Sequence, residues 1–312
     1  MHSGLFTIMH LDHPFNYSFM KRTLLSIIAT FLTAAGFGQP IPSDSLYLGQ
    51  PLPGNTPVIF NLEVTKGLIA AERIAISSNN KEIYYGELDT WPSTIQRIKC
   101  YKYIDNKWQG PFVAFEGFIA PALSPNDSIM YMQRAEKNNT VTCTYFATRE
   151  NSEWSEPVKL LNTNLNTHYV QQTDLNNIYT ASILPDSIGS SSDLCKLAIQ
   201  SADTTIQSLG LPINSTSTEN DFYIAKDESY IIFCRFPKAS ASDLYISYKT
   251  NGSWTSPVSL GSQINTPNPN WECCPFVTKD NKYLFFMRGG NELTSYYIYW
   301  VAIDKLIDDL RN

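Results

Sequence analysis

The sequence predicts an all-β chain, a β-propeller of four-stranded antiparallel blades, on three observations. A polar turn followed by an aromatic and β-branched run occurs five times, and a Trp-x-x-Pro word occurs three times. Aromatic residues make up 13% of the 312 positions, with 18 Tyr and 16 Phe. Such residues suit a pleated, half-buried surface, and a fixed period near fifty residues marks a repeat architecture.

The chain opens with a segment outside the repeats. Met20-Lys21-Arg22 precedes TLLSIIATFLTAAGFG, and Gly36-Phe37-Gly38 stands before Gln39. A basic start, a short apolar run and small residues at its end form a secretory signal. Residues 1–38 are therefore expected to be a signal region, with Met20 as an alternative start, and 39–312 a single propeller domain. A membrane anchor would call for about 20 apolar residues. The chain is thus read as exported, periplasmic or secreted, with no membrane span once the signal is removed.

Removing 1–38 takes away Asp12, Lys21 and Arg22 and moves the net charge from −6 to −7. No Lys/Arg cluster remains to neutralise phosphates, which excludes nucleic acid as a partner. His2, His10 and His13 go too, leaving His168 alone. No His-rich zinc site can be assembled, and a Ser-His-Asp triad would have to use His168. The six cysteines lie in apolar runs such as YIIFCRF, where a thiol behaves as a small hydrophobe, although export would permit disulfides. Cys273 and Cys274 are adjacent, so strand geometry should aim them at opposite faces. No metal site and no cofactor are expected.

The turn words are ISSNNKEIYYGE from Ile76, LSPNDSIMYMQR from Leu123, QQTDLNNIYTAS from Gln171, IAKDESYIIFCR from Ile224 and VTKDNKYLFFMR from Val277. Each reads as a β-hairpin. The fourth copy supplies a whole unit: DFYIAK, YIIFCRF, SDLYISYK and SWTSPVSL as four strands, with Asn251-Gly252 as a type I′ turn needing two positive φ angles. One such sheet cannot cover its own faces, so neighbours must stack around an axis. Trp108, Trp154 and Trp254 open the outermost strands, where a ring covers the gap to the neighbour. Pro111, Pro157 and Pro257 fit an edge strand, which can spare an N–H. Asn166, Asn214 and Asn265 in the connecting segments are expected to bond within their own turns.

The fifth unit lacks a Trp-x-x-Pro strand. Pro57-Val58-Ile59-Phe60 matches the missing pattern, which predicts five blades closed by the N-terminal strand; six blades are the rival count. Ile303, Leu306, Ile307 and Leu310 follow helical spacing, so a short amphipathic helix ends the chain.

SPNDSIMYM, KDESYIIFCR, DLYISY and KDNKYLFFMRG with IYWVA resemble the PD40 (WD40-like) repeats of bacterial exported propellers, similar to the propeller domain of TolB. The likeness spans roughly residues 45–305. The Gly of the family's Ser-Pro-Asp-Gly turn is replaced by Asn80, Asp127, Leu175, Glu228 and Asn281. The resemblance implies the fold and favours six blades, without implying a substrate.

Acidic residues recur where the innermost strands begin: Glu72 beside Arg73, Glu219 with Asp221, and Glu272 after Trp271. These six are the candidate ligand-binding residues. A non-catalytic module recognising a protein, peptide or glycan at the cell envelope, and acting as a monomer, is the favoured reading. The alternative is a glycoside hydrolase using Glu72, Glu219 and Glu272 as paired carboxylates. The chain has no G-x-S-x-G and is too short for an added hydrolase domain.

Overall fold

The computed structural model describes residues 40–90, 93–136, 141–161, 166–187, 191–200, 203–238, 241–267, 270–290, 292 and 295–311. The expected signal region lies outside them. No helix among the described residues is long and apolar enough to cross a membrane.

The strands run in chain order. β1 (Val58–Ile59) stands apart from the first repeat, which holds β2 (Ile69–Ile76), β3 (Glu82–Leu88), β4 (Gln96–Ile104) and β5 (Lys107–Glu116). The second has β6 (Ile119–Leu123), β7 (Ile129–Glu136), β8 (Val141–Glu150) and a split fourth strand, β9 (Glu153–Trp154) and β10 (Val158–Lys159). The third has β11 (His168–Gln172), β12 (Ile178–Ser182), β13 (Asp193–Gln200) and β14 (Asp203–Ser208). The fourth has β15 (Thr218–Ile224), β16 (Tyr230–Lys238), β17 (Ala241–Thr250), β18 (Ser253–Trp254) and β19 (Val258–Ser259). The fifth has β20 (Trp271–Val277), β21 (Tyr283–Gly289) and β22 (Tyr297–Ala302), followed by helix α1 (Asp304–Asp309).

Within each repeat consecutive strands pair antiparallel. The fifth repeat takes its fourth strand from the other end of the sequence: Val58 pairs with Trp300 and Ile59 with Tyr299. Phe60, 2% exposed, anchors that strand edge-on against Phe285 and Trp300, at 5.1 and 5.2 Å. Ala302 N donates to Gly54 O at 3.0 Å. The innermost strands touch in a cycle: β2 meets β6, β6 meets β11, β11 meets β15, β15 meets β20, and β20 meets β2. One parallel pair, Ser242 with Trp271, also joins the last two sheets.

The hairpin turns repeat in detail. The left-handed slot is filled by Asn80, Asp127, Asn176, Glu228 and Asn281, with φ between 57° and 60°. In the third repeat Asn176, not Leu175, takes this position, because a short polar side chain tolerates the left-handed region better than a branched apolar one. Side-chain oxygens two residues apart steady three turns: Ser77 Oγ donates to Asn79 Oδ1 at 2.8 Å, Ser124 Oγ to Asn126 Oδ1 at 2.9 Å, and Thr278 Oγ1 to Asp280 Oδ1 at 2.6 Å. Asn251 and Gly252 both carry positive φ, 52° and 82°, as the type I′ turn requires.

Pro157 and Pro257 fall in the breaks of the split fourth strands, at sheet edges where no ladder bond is lost. Trp154 Nε1 donates to Tyr84 OH of the preceding repeat at 3.2 Å, so the ring bridges neighbouring sheets. Trp108 Nε1 instead reaches Ser45 O at 2.7 Å.

The connecting asparagines act differently from the sequence expectation. Asn214 Oδ1 accepts from Leu194 N at 2.8 Å, while its Nδ2 donates to Leu194 O at 3.0 Å and Ser208 Oγ at 2.8 Å. Asn265 treats Leu244 N and O and Ser259 Oγ the same way, at 2.8, 2.9 and 2.9 Å. Asn166 Oδ1 accepts from Thr142 N at 2.7 Å. The side-chain amide has the donor and acceptor of a peptide group, so it extends the ladder of the third strand where the fourth strand has ended.

Helix α1 buries Ile307, and Tyr248 OH donates to Ile307 O at 2.6 Å, which fixes it against β17.

Candidate functional site

Every innermost strand carries a β-bulge at the same place. The register slips between Ala71 and Ala75, Ile119 and Ala122, His168 and Gln171, Asn220 and Phe222, and Cys273 and Phe276. The residues entering the bulges, Glu72, Ala120, Tyr169, Asp221 and Cys274, are therefore equivalent. Four have left-handed backbone, with φ of 65°, 55°, 54° and 56° for Glu72, Ala120, Tyr169 and Cys274. A bulge re-aims a side chain that the pleat would send elsewhere.

Here it brings four repeats to one point. Cys274 Sγ lies 3.0 Å from Tyr169 OH, 3.4 Å from Asp221 Oδ2 and 3.9 Å from Glu72 Oε2. Glu72 and Asp221 are 4% and 6% exposed. Burial, then the facing Asp221 charge, holds the Glu72 carboxyl well above its ordinary range. The bulge also corrects an expectation about the neighbouring thiols. Cys273 and Cys274 do not part to opposite faces; both Sγ atoms and an Asp221 oxygen lie within 4.8 Å of one another. All six cysteines are buried and free.

The first bulge is the widest, and Arg73 is its added residue. Its guanidinium is buried, donates from Nη2 to Val170 O at 2.9 Å and from Nη1 to Phe222 O at 3.3 Å, and lies 5.0 Å from the Tyr169 ring centre. Burial lowers it to about 10, so it remains a cation at neutral pH. Repeats one, three and four are thus tied at the centre by one side chain. Beside it His168 Nδ1 lies 3.0 Å from Asn220 Oδ1 and 3.4 Å from Asp221 Oδ1, and Nε2 lies 3.2 Å from Gln133 Nε2. Asp221 Oδ1 is within ion-pair range of His168 yet has no hydrogen-bond partner.

Glu219 and Glu272 occupy a different column, two residues before Asp221 and Cys274, and both are fully buried. Glu219 accepts from Arg235 Nε at 2.6 Å, Ser215 Oγ at 2.6 Å and Ser215 N at 3.0 Å. Glu272 accepts from Arg288 Nε at 3.0 Å, Thr266 Oγ1 at 2.6 Å and Thr266 N at 3.2 Å. Each arginine also binds a linker carbonyl, Ile213 O at 2.9 Å or Ile264 O at 2.5 Å. Burial raises the Glu272 carboxyl, with Thr266 and Arg288 pulling the other way. These two acids fasten the incoming linker to the inner hairpin.

The first repeat builds the same fastening with its charges moved outwards. Ala70 stands where Glu219 and Glu272 do, and its cross-strand partner is Glu87, in the place of the arginines. Glu87 accepts from Thr65 N at 2.6 Å and Thr65 Oγ1 at 3.2 Å, with Lys99 Nζ at 3.2 Å and Arg97 Nη1 at 3.3 Å. Glu87 and Tyr169 are residues that sequence reasoning passed over, while His168 and Cys274 entered it only as a lone histidine and a strand thiol.

Trp271 is half-buried, edge-on to Phe236 at 5.5 Å. At the hairpin end, a recess of about 40 Å³ is lined by residues of all five repeats, among them Arg73, Asp127, Gln172, Lys226 and Lys279. A larger groove, about 640 Å³, lies away from the centre between the outer strands of repeats one and two, lined by Phe112, Val113 and Trp154. The wider space therefore does not coincide with the buried acids.

No family model matches the chain, and no curated protein matches it by sequence. Solved structures do. TolB from Acinetobacter baumannii matches with a TM-score of 0.50 and 13% identity, over 77% of this chain and 52% of that one. Endo-arabinase from Bacteroides thetaiotaomicron gives 0.48 and 10%, over 75% and 94%. Oligogalacturonate lyase from Vibrio parahaemolyticus gives 0.44 and 10%, over 76% and 66%. The chain spans about half the length of that TolB, and at these identities the likeness is one of fold. The chain shares an all-β architecture of four-stranded antiparallel sheets with TolB-like propeller proteins.

Proposed function

We propose that this chain is an exported, five-bladed β-propeller closed by its N-terminal strand, and that it is a non-catalytic monomer binding a protein, peptide or glycan at the bacterial cell envelope. The pairing of Val58 and Ile59 with β22, and the cycle of contacts among five inner strands, support the blade count and the closure. The observation that carries the binding reading is the state of the acids. Glu219 and Glu272 are fully buried and each is held by an arginine and a linker residue, and Glu72 is enclosed near the centre. A glycosidase needs two carboxyl groups facing a sugar across open space, roughly 5–9.5 Å apart. Carboxylates fastened in this way favour recognition over hydrolysis. The half-buried Trp271 and Phe236, edge-on to each other, make an aromatic pair of the kind ligands stack on.

The experiment pairs a panel of aryl glycosides with glycan and peptide arrays. No turnover on the panel, together with array binding that Trp271→Ala weakens at unchanged Tm, is the expected result. Turnover that Glu72→Gln, Glu219→Gln or Glu272→Gln abolishes at unchanged Tm would overturn it. N-terminal sequencing of exported protein should begin at Gln39.

A further inference from the structure

We propose that Asp221, Cys273 and Cys274 form a zinc site at the centre of the molecule, with Glu72 Oε2, 3.9 Å from Cys274 Sγ, drawn in as the fourth ligand on binding. The two thiols and the Asp221 carboxylate present ligand atoms within 4.8 Å of one another, all buried. The distances suit tetrahedral Zn²⁺: with Zn–S about 2.3 Å and Zn–O about 2.0 Å, neighbouring S and O ligands stand ~3.5 Å apart. Cys274 Sγ is 3.4 Å from Asp221 Oδ2 and 3.9 Å from Glu72 Oε2.

A second observation points to a ligand. Asp221 is 94% buried by its 6% exposure, and its Oδ1 has no hydrogen-bond partner. Its Oδ2 faces the thiol instead, and the charge of so buried a carboxylate costs free energy that a cation held at Oδ2 would offset. His168, with 24% of its side chain exposed, stands 3.4 Å from Oδ1. It occupies the place of the outer partner that orients a metal-bound carboxylate, on the side from which an ion can arrive.

The donor set chooses the metal. Two sulfurs exclude Mg²⁺ and Ca²⁺, which take oxygen, and the carboxylates favour Zn²⁺ over Cu⁺, which prefers sulfur throughout. Binding displaces the protons of both thiols, with no change of oxidation state, so affinity should fall as pH falls. Buried Arg73 offsets part of the negative charge that remains.

The test uses the whole purified protein, reduced and stripped with chelator. Titration with Co²⁺ should give a thiolate-to-cobalt charge-transfer band at one ion per chain, Zn²⁺ should abolish it, and saturating Zn²⁺ should raise Tm. Cys273→Ser and Cys274→Ser should each remove the band, while Cys195→Ser, a buried thiol of the third repeat outside the cluster, keeps it. Asp221→Asn should weaken Zn²⁺ at least tenfold with the circular dichroism spectrum unchanged. Should a cysteine variant misfold, the reduced unmutated protein still decides. Failure to bind a stoichiometric ion, or equal binding by a folded Cys273→Ser/Cys274→Ser double variant, overturns the site. Neither outcome touches the binding reading, which rests on Glu219, Glu272 and Trp271.

Discussion

Glu228 offers the sharpest test of how neighbouring repeats are joined. It sits in the left-handed turn position with φ of 60°, unusual for a long side chain, and is 2% exposed. Its carboxylate accepts from Thr173 Oγ1 at 2.9 Å and Asn177 Nδ2 at 2.6 Å in the preceding repeat, and from Lys249 Nζ at 2.7 Å in its own. Burial pushes the carboxyl up, but Lys249, Asn177 and Thr173 outweigh it and bring it to about 2, against an ordinary 4.5. A folded value below the unfolded one stabilises above about 4.5, and the gain fades as pH falls towards 2. The difference of about 2.5 units corresponds to ~3 kcal/mol at neutral pH, at about 1.4 kcal/mol per unit. Glu228→Gln keeps the size and removes the charge. Thermal unfolding followed by circular dichroism should therefore drop by roughly 6–12 °C at pH 7. The gap between the two proteins should close to less than half by pH 3. An equal gap at both pH values, or one under about 2 °C at pH 7, would refute the assignment.

Three further outcomes follow from the fold. Asn214→Ala strands the buried N–H of Leu194, whose C=O keeps Leu209 N, so it should cost ~1–3 kcal/mol in chemical denaturation; less than ~0.5 kcal/mol would mean water replaces the amide. Phe60→Ala should cost about 3–5 kcal/mol, whereas Val58→Ala, at a side chain 43% exposed, should cost under ~1 kcal/mol; equal effects would argue that the terminal strand is not anchored through Phe60. Gly86→Ala would set a Cβ 2.7 Å from Ala71 O, where the first bulge presses on β3. It should lower Tm clearly, and an unchanged melt would show that the bulge gives way.

The repeats were legible because turn chemistry is local. Asn, Asp and Ser at fixed offsets, a Trp-x-x-Pro strand and a following aromatic run record the hairpins directly. The partner of β22 was legible by subtraction, since one repeat lacked its outer member and Val58–Phe60 fitted. The centre was hidden because bulges change what sequence distance means. Glu72, Glu219 and Glu272 look alike at the head of each inner strand, yet Glu72 shares its column with Asp221 and Cys274. The side-by-side thiols were misread for the same reason: a strict two-residue alternation sends them apart, and a left-handed Cys274 does not obey it. Charges that swap strands, as in Glu87 with Lys99, leave no common spacing to find.

Strand β1 leaves the ribosome some 240 residues before its partner, residues 299–300. Until then Phe60 lacks the cover of Phe285 and Trp300. The pairing of β1 with β22 joins segments some 240 residues apart, the kind of distant encounter that slows folding and exposes sticky intermediates. A permuted chain that carries Val58–Phe60 directly after Ile303, with new termini in the turn at Asn251, would make that step local. It should refold faster than the natural order.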